Sequence, residues 1–373
     1  MNTYKAGTFV SQGHYQSFQP NPVNRDWMFD DMQLLNLLSR ADRSLGRLDM
    51  YSQYVNIDLF IRMHIAKEAT QSSKIEGTRT NMEDAFMEVK DIALEKRDDW
   101  EEVQNYIHAM DEAVRLLHTL PFSSRLIRQT HKILLQGVRG KHKNPGEFRR
   151  SQNWIGGSSI ENAVFIPPVH HTVKELMSDI EFFANNDQNM LPDLLKIAII
   201  HYQFETIHPF LDGNGRVGRL LITLYLVNKG ILKKPILYLS DFFERNRMLY
   251  YDNLTRVRTH NDMQQWIKFF LTGVIEISKK GVETFDAILQ MQKNLEQKIQ
   301  SLGSRGTEAR KVVEFLYDQP VIDAGKMGAI TGKSKATNYK LLVSLENLGI
   351  LQEITGAQRN KLYIFKEYLE LFK

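Results

Sequence analysis

Apolar residues along the 373-residue chain recur mostly at the three- and four-residue spacing that puts them on one side of a helix. The clearest case is 194–207, with apolar positions at 194, 197, 198, 200, 204 and 207, and a second helical face begins at Val217, Leu220, Leu221 and Leu224. Upstream, Met32, Leu35, Leu38 and Leu45 predict a helix over 31–47 that Gly46 would end, and Ile57, Phe60, Ile61 and Ile65 predict another over 56–72. Further helices are predicted around Met82, Ala85, Phe86 and Val89, over 103–120 up to Pro121, over 126–136, over 217–227, from 245 onward, and as one long connecting helix over 266–299. Three stretches break the period. Residues 1–30, with Pro20, Pro22 and Asn24, read as an extended arm lying on the surface or on a neighbour. Residues 152–166, with Ile155, Gly156, Gly157, Val164, Phe165 and Ile166, read as a short β-hairpin, and 302–307 as a flexible linker.

Composition adds bounds. The length allows two or three domains, and 42% hydrophobic with 25% charged residues is ordinary for a soluble globular protein. The absence of cysteine removes disulfides and thiolate metal sites and suits a reducing compartment. Neither a basic leader followed by an apolar run nor a stretch of about 18 apolar residues occurs, so the expectation is a cytoplasmic protein without a membrane span. A net charge of +4 permits nucleic-acid binding without requiring it.

Between the two central helices, His208-Pro209-Phe210-Leu211-Asp212-Gly213-Asn214-Gly215-Arg216-Val217-Gly218-Arg219 holds a base, a carboxylate, two arginines and three glycines. Free N–H groups at a helix start, preceded by glycine backbone, form an anion site. Arg216 and Arg219 add planar bidentate phosphate donors, Asp212 offers a hard oxygen to a phosphate-bound magnesium, and His208 is the natural base. The residues alone therefore imply a polyphosphate site with a base beside it. Gly213 to Gly218 also spells GxGxxG, but a helix precedes it where the dinucleotide fingerprint requires a strand. His201, Glu205 and His208 could line up a metal face, yet Pro209 and the anion nest lie at its end and HExxH is missing, which argues against zinc. His170 and His171 read as loop residues.

The twelve residues resemble, at every defined position, the signature of the Fic (filamentation induced by cAMP) family, His-x-Phe-x-Asp/Glu-Gly-Asn-Gly-Arg-x-x-Arg. The resemblance implies a mainly α fold, a helical bundle with a small hairpin flap, and an adenylyltransferase that moves AMP from ATP, with Mg2+, to a Tyr, Thr or Ser hydroxyl of a target protein and of itself. It implies His208 as catalytic base, Gly213, Asn214, Gly215, Arg216, Val217, Gly218 and Arg219 around the phosphates, Tyr251 against the adenine, Asp212 on the metal, and Ile155, Gly156 and Gly157 in a flap on which the target lies as an added strand. Ser72-Ser73-Lys74-Ile75-Glu76-Gly77, read by itself, is a helix C-terminus closed by Gly77. It resembles the family's inhibitory motif, which implies that Glu76 pairs with Arg219, takes the edge meant for the γ-phosphate and places the chain in the self-inhibited class. Fic relatives also transfer phosphate or phosphocholine; Gly215 argues against the phosphate-transferring variant, whose resemblance would put lysine there.

Beyond the linker, helices over 308–318, 323–330 and 334–348 and strands over 350–354 and 361–365 resemble a winged-helix domain. Lys333, Lys335, Asn338 and Lys340 at the third helix and Arg359 at the wing tip are the candidate DNA contacts, through 333–340 and 359–361. Residues 301–373 hold 11 Lys plus Arg and 8 Asp plus Glu, a net of +3, which leaves a protein-binding or homodimerising module as the alternative. The expected division is 1–109 for the arm and inhibitory region, 110–283 for the catalytic core, 284–306 for the connecting helix and linker, and 307–373 for the winged helix. A competing reading is a DNA-binding regulator whose core only senses nucleotide.

Overall fold

The computed structural model describes residues 4–54, 57–137, 140, 142–356 and 361–373. From Tyr4 onward the expected arm lies on this chain and is folded as a hairpin. β1 (Gly7–Ser11) pairs antiparallel with β2 (Gln16–Pro20), Gly7 opposite Pro20. Phe18 is fully buried, its ring 6.1 Å from that of Phe165, and its N–H donates to the Ile166 carbonyl at 2.9 Å. Ala6 N–H donates to Asn261 Oδ1 at 2.7 Å and Val23 N–H to Asp179 Oδ2 at 2.6 Å. The expected arm is thus a hairpin fastened to this chain by groups 147 to 255 residues away in sequence, out of reach of local pattern reading.

Helix α1 (Met32–Tyr54) continues through Gly46. Its buried stripe is Leu34, Leu38, Ala41, Leu45 and Leu48, whereas Met32 and Leu35 are exposed. An interior glycine costs about 1 kcal/mol, and burial of a leucine such as Leu48 contributes about 1.5–3 kcal/mol, so the seam carries the helix past the break. The facing helix is cut to fit: a Cβ at Gly281 would stand 2.7 Å from Leu48 Cδ1.

A 3-10 turn at Ile57–Leu59 leads into α2 (Ile61–Ile75). The helix expected around 82–89 is only one turn, α3 (Met82–Ala85), closed by an Asn81/Asp84 capping box; two 3-10 turns follow and Val89 is exposed. α4 (Arg97–Leu116) starts earlier than its apolar period, with Asp98 and Asp99 in the first turn, where the helix dipole favours acids. Then come α5 (Ser124–Leu134), α6 (Val173–Asn185), α7 (Asp193–Ile207), α8 (Asn214–Asn228), α9 (Ser240–Arg245), α10 (Arg247–His260) and α11 (Met263–Gln300). α7 and α8 are buried on nearly all sides and form the axis of the bundle, with α2, α4, α5, α6 and α11 packed around them. Trp266 of α11, fully buried, donates to the Ala198 carbonyl at 2.8 Å.

The hairpin expected over 152–166 is reduced to one bridge, Ile155 to Phe165, around a 3-10 turn at Ile160–Asn162. Gly156 (φ 67°) and Gly157 (φ 74°) turn left-handed directly after Ile155, which ends the extended run before a second pair can form.

The stretch 302–307 is not a flexible linker. A 3-10 turn at Gly303–Arg305 runs straight into α12 (Gly306–Asp318), with Ile299 buried and Leu302 packed on the core. Divisions drawn at 109/110 and 283/284 fall inside α4 and α11. After α12 come β3 (Val321–Asp323), α13 (Ala324–Thr331), α14 (Lys335–Asn347), β4 (Gln352–Glu353), β5 (Leu362–Ile364) and α15 (Lys366–Glu370), the strands forming an antiparallel sheet in the order β3-β5-β4. This part rests on α2: Phe60 meets the Tyr317 ring edge-on at 5.1 Å and His64 meets Phe372 at 5.0 Å.

Among the candidate DNA contacts, Asn338 is 1% exposed; it accepts from Thr331 Oγ1 at 2.7 Å and donates to the Lys333 carbonyl at 3.0 Å. It therefore fastens the α13–α14 turn and does not face a groove. Lys333 pairs with Glu308 at 3.2 Å, Lys335 and Lys340 are exposed, and Arg359 lies outside the described residues. No helix among the described residues is long and apolar enough to cross a membrane.

Candidate active site

α7 ends at His208, which sits in the left-handed region (φ 50°, ψ 61°), its N–H donating to the Phe204 carbonyl at 2.9 Å. For a residue with a Cβ that conformation costs about 1–2 kcal/mol, so other groups must hold it. Arg149 does most of this. Its buried guanidinium donates to the carbonyls of His208 (3.0 Å), Ile207 (3.3 Å), Ser151 (3.2 Å) and Pro168, and its N–H donates to the Pro209 carbonyl at 2.9 Å. Asn153 Nδ2 donates to the His208 and Phe210 carbonyls at 3.2 and 2.9 Å. Asn214 spends its side chain on Phe210, accepting from the N–H at 2.8 Å and donating to the carbonyl at 2.9 Å, so only its backbone is left for a ligand. His131 accepts from Gly146 N–H at Nδ1 (2.8 Å), which leaves the proton on Nε2 to donate to the Asp212 carbonyl at 3.0 Å; its ring stacks on Phe210 at 3.7 Å. Sequence reading missed Arg149, Asn153 and His131. Each acts across more than fifty residues, and no spacing marks such a partner.

Held in this way, the His208 imidazole keeps a buried Nδ1 with no hydrogen-bond partner. Burial lowers its pKa to about 4, with Glu76 pulling upward and Arg149 pushing down. The ring is neutral at pH 7 and able to accept a proton. Beside it, Gly213 (φ 73°) leads into α8 with no side-chain cap, so the first-turn N–H groups are left for an anion.

Glu76 and Arg219 come together over that nest. Arg219 Nη2 donates to Glu76 Oε1 at 2.6 Å, while Nε and Nη2 donate to the Ser72 Oγ and carbonyl, both at 2.9 Å. A Cβ at Gly215 would stand 2.4 Å from Glu76 Oε1, so the carboxylate lies directly on the first turn of α8. Burial acts to raise the Glu76 carboxyl, but Arg219, helped by Arg216 and His208, holds it below the usual carboxylate range. Arg216 is buried and pairs with Glu102 at 2.9 Å and Asp212 at 3.6 Å. Asp212 is 44% exposed on its side chain; Oδ1 accepts from Gly213 N–H at 2.6 Å. Among the described residues no group of three or more His, Cys, Asp or Glu gathers around a metal position. One exposed carboxylate suits a cation that arrives already bound to phosphates, as magnesium does.

Tyr251 is 41% exposed and feels the charges of Glu76 and Arg219, which puts it on the nest side of α10. Arg258, also on α10, stacks its guanidinium 3.8 Å over the Phe165 ring and ties the 155–165 segment to the bundle. Ile155 is half-buried and Gly156 and Gly157 are exposed. His201 is structural, Nδ1–H donating to the Gly218 carbonyl and Nε2 accepting from Tyr250 Oη, each at 2.9 Å. His170 and His171 sit exposed in a 3-10 turn. Val217 is buried, and Gly218 is required for space, since a Cβ there would stand 2.2 Å from Glu205 Oε1.

Glu205 itself is buried with Oε1 unpartnered. Burial raises its carboxyl to about 7, with Arg219 and Arg258 opposing and Glu76 reinforcing. A carboxyl raised in the fold favours the protonated form, so its contribution is present below the unfolded value and is lost as pH rises through about 7. Glu205→Gln is expected to match the wild type in urea unfolding at pH 5 and to exceed it at pH 8 by up to about 3 kcal/mol. Equal differences at both pH values would contradict this.

Residues 35–115 match the Fic/DOC family N-terminal description and residues 121–226 the Fic/DOC family itself. The chain belongs to the Fic/DOC family. A protein adenylyltransferase Fic of Drosophila mojavensis is 27% identical over 323 residues, 79% of this chain and 57% of that protein. One from Drosophila grimshawi is 30% identical over 207 residues, 53% of this chain and 38% of that protein. The chain thus spans about two fifths to three fifths of the length of these two curated relatives. Among solved structures, a Fic family protein from Desulfovibrio desulfuricans superposes with a TM-score of 0.60 at 19% identity, over 91% of this chain and 98% of that one. A Fic domain containing signaling protein from Bacteroides thetaiotaomicron does so with a TM-score of 0.50 at 18% identity, over 67% and 95%. At these identities the likeness is one of fold, the mainly α Fic bundle.

Proposed function

We propose that this Fic protein is a protein adenylyltransferase, moving AMP from ATP to a Tyr, Thr or Ser hydroxyl of a target protein and of itself, under restraint by Glu76. The observation that carries the reading is the neutral His208 imidazole, its buried Nδ1 without a hydrogen-bond partner, beside an uncapped helix start on which an arginine-bound carboxylate now lies. In the transfer, His208 takes the proton of the target hydroxyl as its oxygen attacks the α-phosphorus; the bond to the bridging oxygen breaks and pyrophosphate leaves. Backbone N–H groups from Gly213 to Arg216, with the Arg216 and Arg219 guanidiniums, meet the charge that grows on the phosphoryl oxygens. Asp212 would hold magnesium, which would supply further charge neutralisation on the phosphates. Tyr251 flanks the adenine, and the exposed 155–157 edge receives the target segment. With Glu76 on Arg219, ATP binds with its γ-phosphate displaced and the α-phosphorus turned from attack.

The position of the label decides which group moves. ATP labelled at the α-phosphate is expected to label the protein and ATP labelled at the γ-phosphate is not; γ-label in the protein would mean phosphate transfer instead.

For the C-terminal module a winged helix touching DNA is the reading favoured by the exposed face of α14, where Lys335, Tyr339 and Lys340 stand free of the core. Replacing both lysines by alanine is expected to weaken a mobility shift with duplex DNA about tenfold and to flatten its salt dependence. No shift by the wild type at low salt would leave that face to a protein partner or a second copy.

A further inference from the structure

The segment around the Ile155–Phe165 bridge sorts its side chains onto two faces. Asn153 turns inward, its Nδ2 on the His208 and Phe210 carbonyls at 3.2 and 2.9 Å. Ile155 packs on the core, and its partner Phe165 is buried under the Arg258 guanidinium, 3.8 Å from the ring. The positions next to these turn outward, as the period of two in extended chain requires: Trp154 is 42% and Val164 79% exposed. Gly156 has no side chain, and Val164 lies across it, since a Cβ there would stand 2.6 Å from Val164 Cγ2. The outer face thus carries an indole at position 154 and an isopropyl group over position 156. The backbone of the same stretch has one paired side and one open side. Ile155 N–H donates to the Phe165 carbonyl at 2.8 Å, and the Ile155 carbonyl accepts from Val164 and Phe165 N–H at 2.9 and 3.1 Å. In a trans peptide the N–H and C=O point opposite ways, so the Trp154 carbonyl and the Gly156 N–H point away from Phe165, and neither has a partner among the described residues. On the far side of the bridge, Phe18 N–H already takes the Ile166 carbonyl. The 154–156 side is the open one.

We propose that Trp154 and Val164 select the target: an extended segment whose acceptor Tyr, Thr or Ser has an aliphatic or aromatic residue immediately before it and immediately after it. An added strand meets the open carbonyl and N–H with its own backbone, and residues opposite one another across a sheet share a face. A hydroxyl that reaches His208 comes from the inner face, the face of Asn153 and Ile155. Its two neighbours in the target then lie on the outer face, one beside Trp154 and the other beside Val164, across Gly156. The selection rests on the transferase reading given above and adds to it the sequence in which the hydroxyl is presented.

Short peptides with a central Tyr, Thr or Ser, and with Leu, Phe, Ser or Asp at the two flanking positions, test this, with full-length Glu76→Gly as the enzyme and ATP labelled at the α-phosphate. Leu or Phe is expected to exceed Ser by about threefold to fivefold in kcat/KM at each flank, the size of a cross-strand apolar pair. Placed in the Glu76→Gly protein, Trp154→Ser is expected to remove the preference at one flank and Val164→Ser at the other, whereas Trp154→Phe and Val164→Ile keep both. A loss confined to one flank is not what general damage to the segment produces. Equal labelling of Leu-flanked and Ser-flanked peptides, or a preference undiminished in both Trp154→Ser and Val164→Ser, overturns the proposal, as does a Glu76→Gly protein that labels itself and no peptide. If Glu76→Gly transfers AMP to nothing, itself included, the transferase reading falls and the selection falls with it.

Discussion

His208→Ala is expected to lower AMP transfer by two to four orders of magnitude, roughly what a positioned general base contributes, while ATP binding stays within a few-fold of the wild type. The split follows from the geometry. In the proposed reaction the nucleotide is held by the start of α8, whose N–H groups and arginines the substitution does not touch, whereas the His208 base at the end of α7 is removed. Alanine at φ 50° carries the backbone strain that histidine carries now, and the carbonyl of residue 208 keeps its bonds to Arg149 and Asn153, so the loop should persist. His208→Asn makes a useful companion, because asparagine accepts the left-handed region more readily. Both variants should bind nucleotide and both should fail to transfer. Because the imidazole titrates near 4, the acid limb of the wild-type rate should lie well below pH 6 and be missing from residual activity in either variant.

Glu76→Gly is expected to act in the opposite direction, raising self-labelling about tenfold to a hundredfold. A screened, charge-assisted pair contributes up to a few kcal/mol, and each 1.4 kcal/mol or so in the balance between two binding poses is a factor of ten. The substitution is mild for the fold. Glu76 is the C-cap of α2, at φ −84°, and the turn after it is made by Gly77 at φ 103°. Arg219 would keep both bonds to Ser72, so the guanidinium stays aimed at the nest with one edge free for a γ-phosphate. Glu76→Gln, which keeps the size and loses the charge, should fall between wild type and glycine. Equal labelling by all three proteins would remove the inhibitory role.

What was legible in the sequence divides along physical lines. The anion nest could be read because its parts are contiguous: base, carboxylate, glycines and arginines within one turn between two helices. The pairing of Glu76 with Arg219 spans 143 residues and became legible only through resemblance to a family motif. Nothing similar points to Arg149, whose five bonds shape the His208 loop, because a buried arginine on backbone carbonyls leaves no periodic trace. Helix ends were misjudged where tertiary packing overrides local cost, as at Gly46, where the seam through Leu48 continues. The hairpin over 152–166 shrinks to a single bridge for the reverse reason, two left-handed glycines breaking an otherwise strand-like composition. Asn338 reads as outward from its place on a helix start, yet Thr331, seven residues back, and the Lys333 carbonyl, five back, hold it inside.

The measurement that bears most directly on the central claim is the intact mass of the wild type and of Glu76→Gly after incubation with ATP and Mg2+. A gain of one or more adenylyl groups is expected, larger in Glu76→Gly and absent when His208→Ala is added. A gain equal to phosphate, or unchanged mass in Glu76→Gly across a range of ATP concentrations, would contradict it.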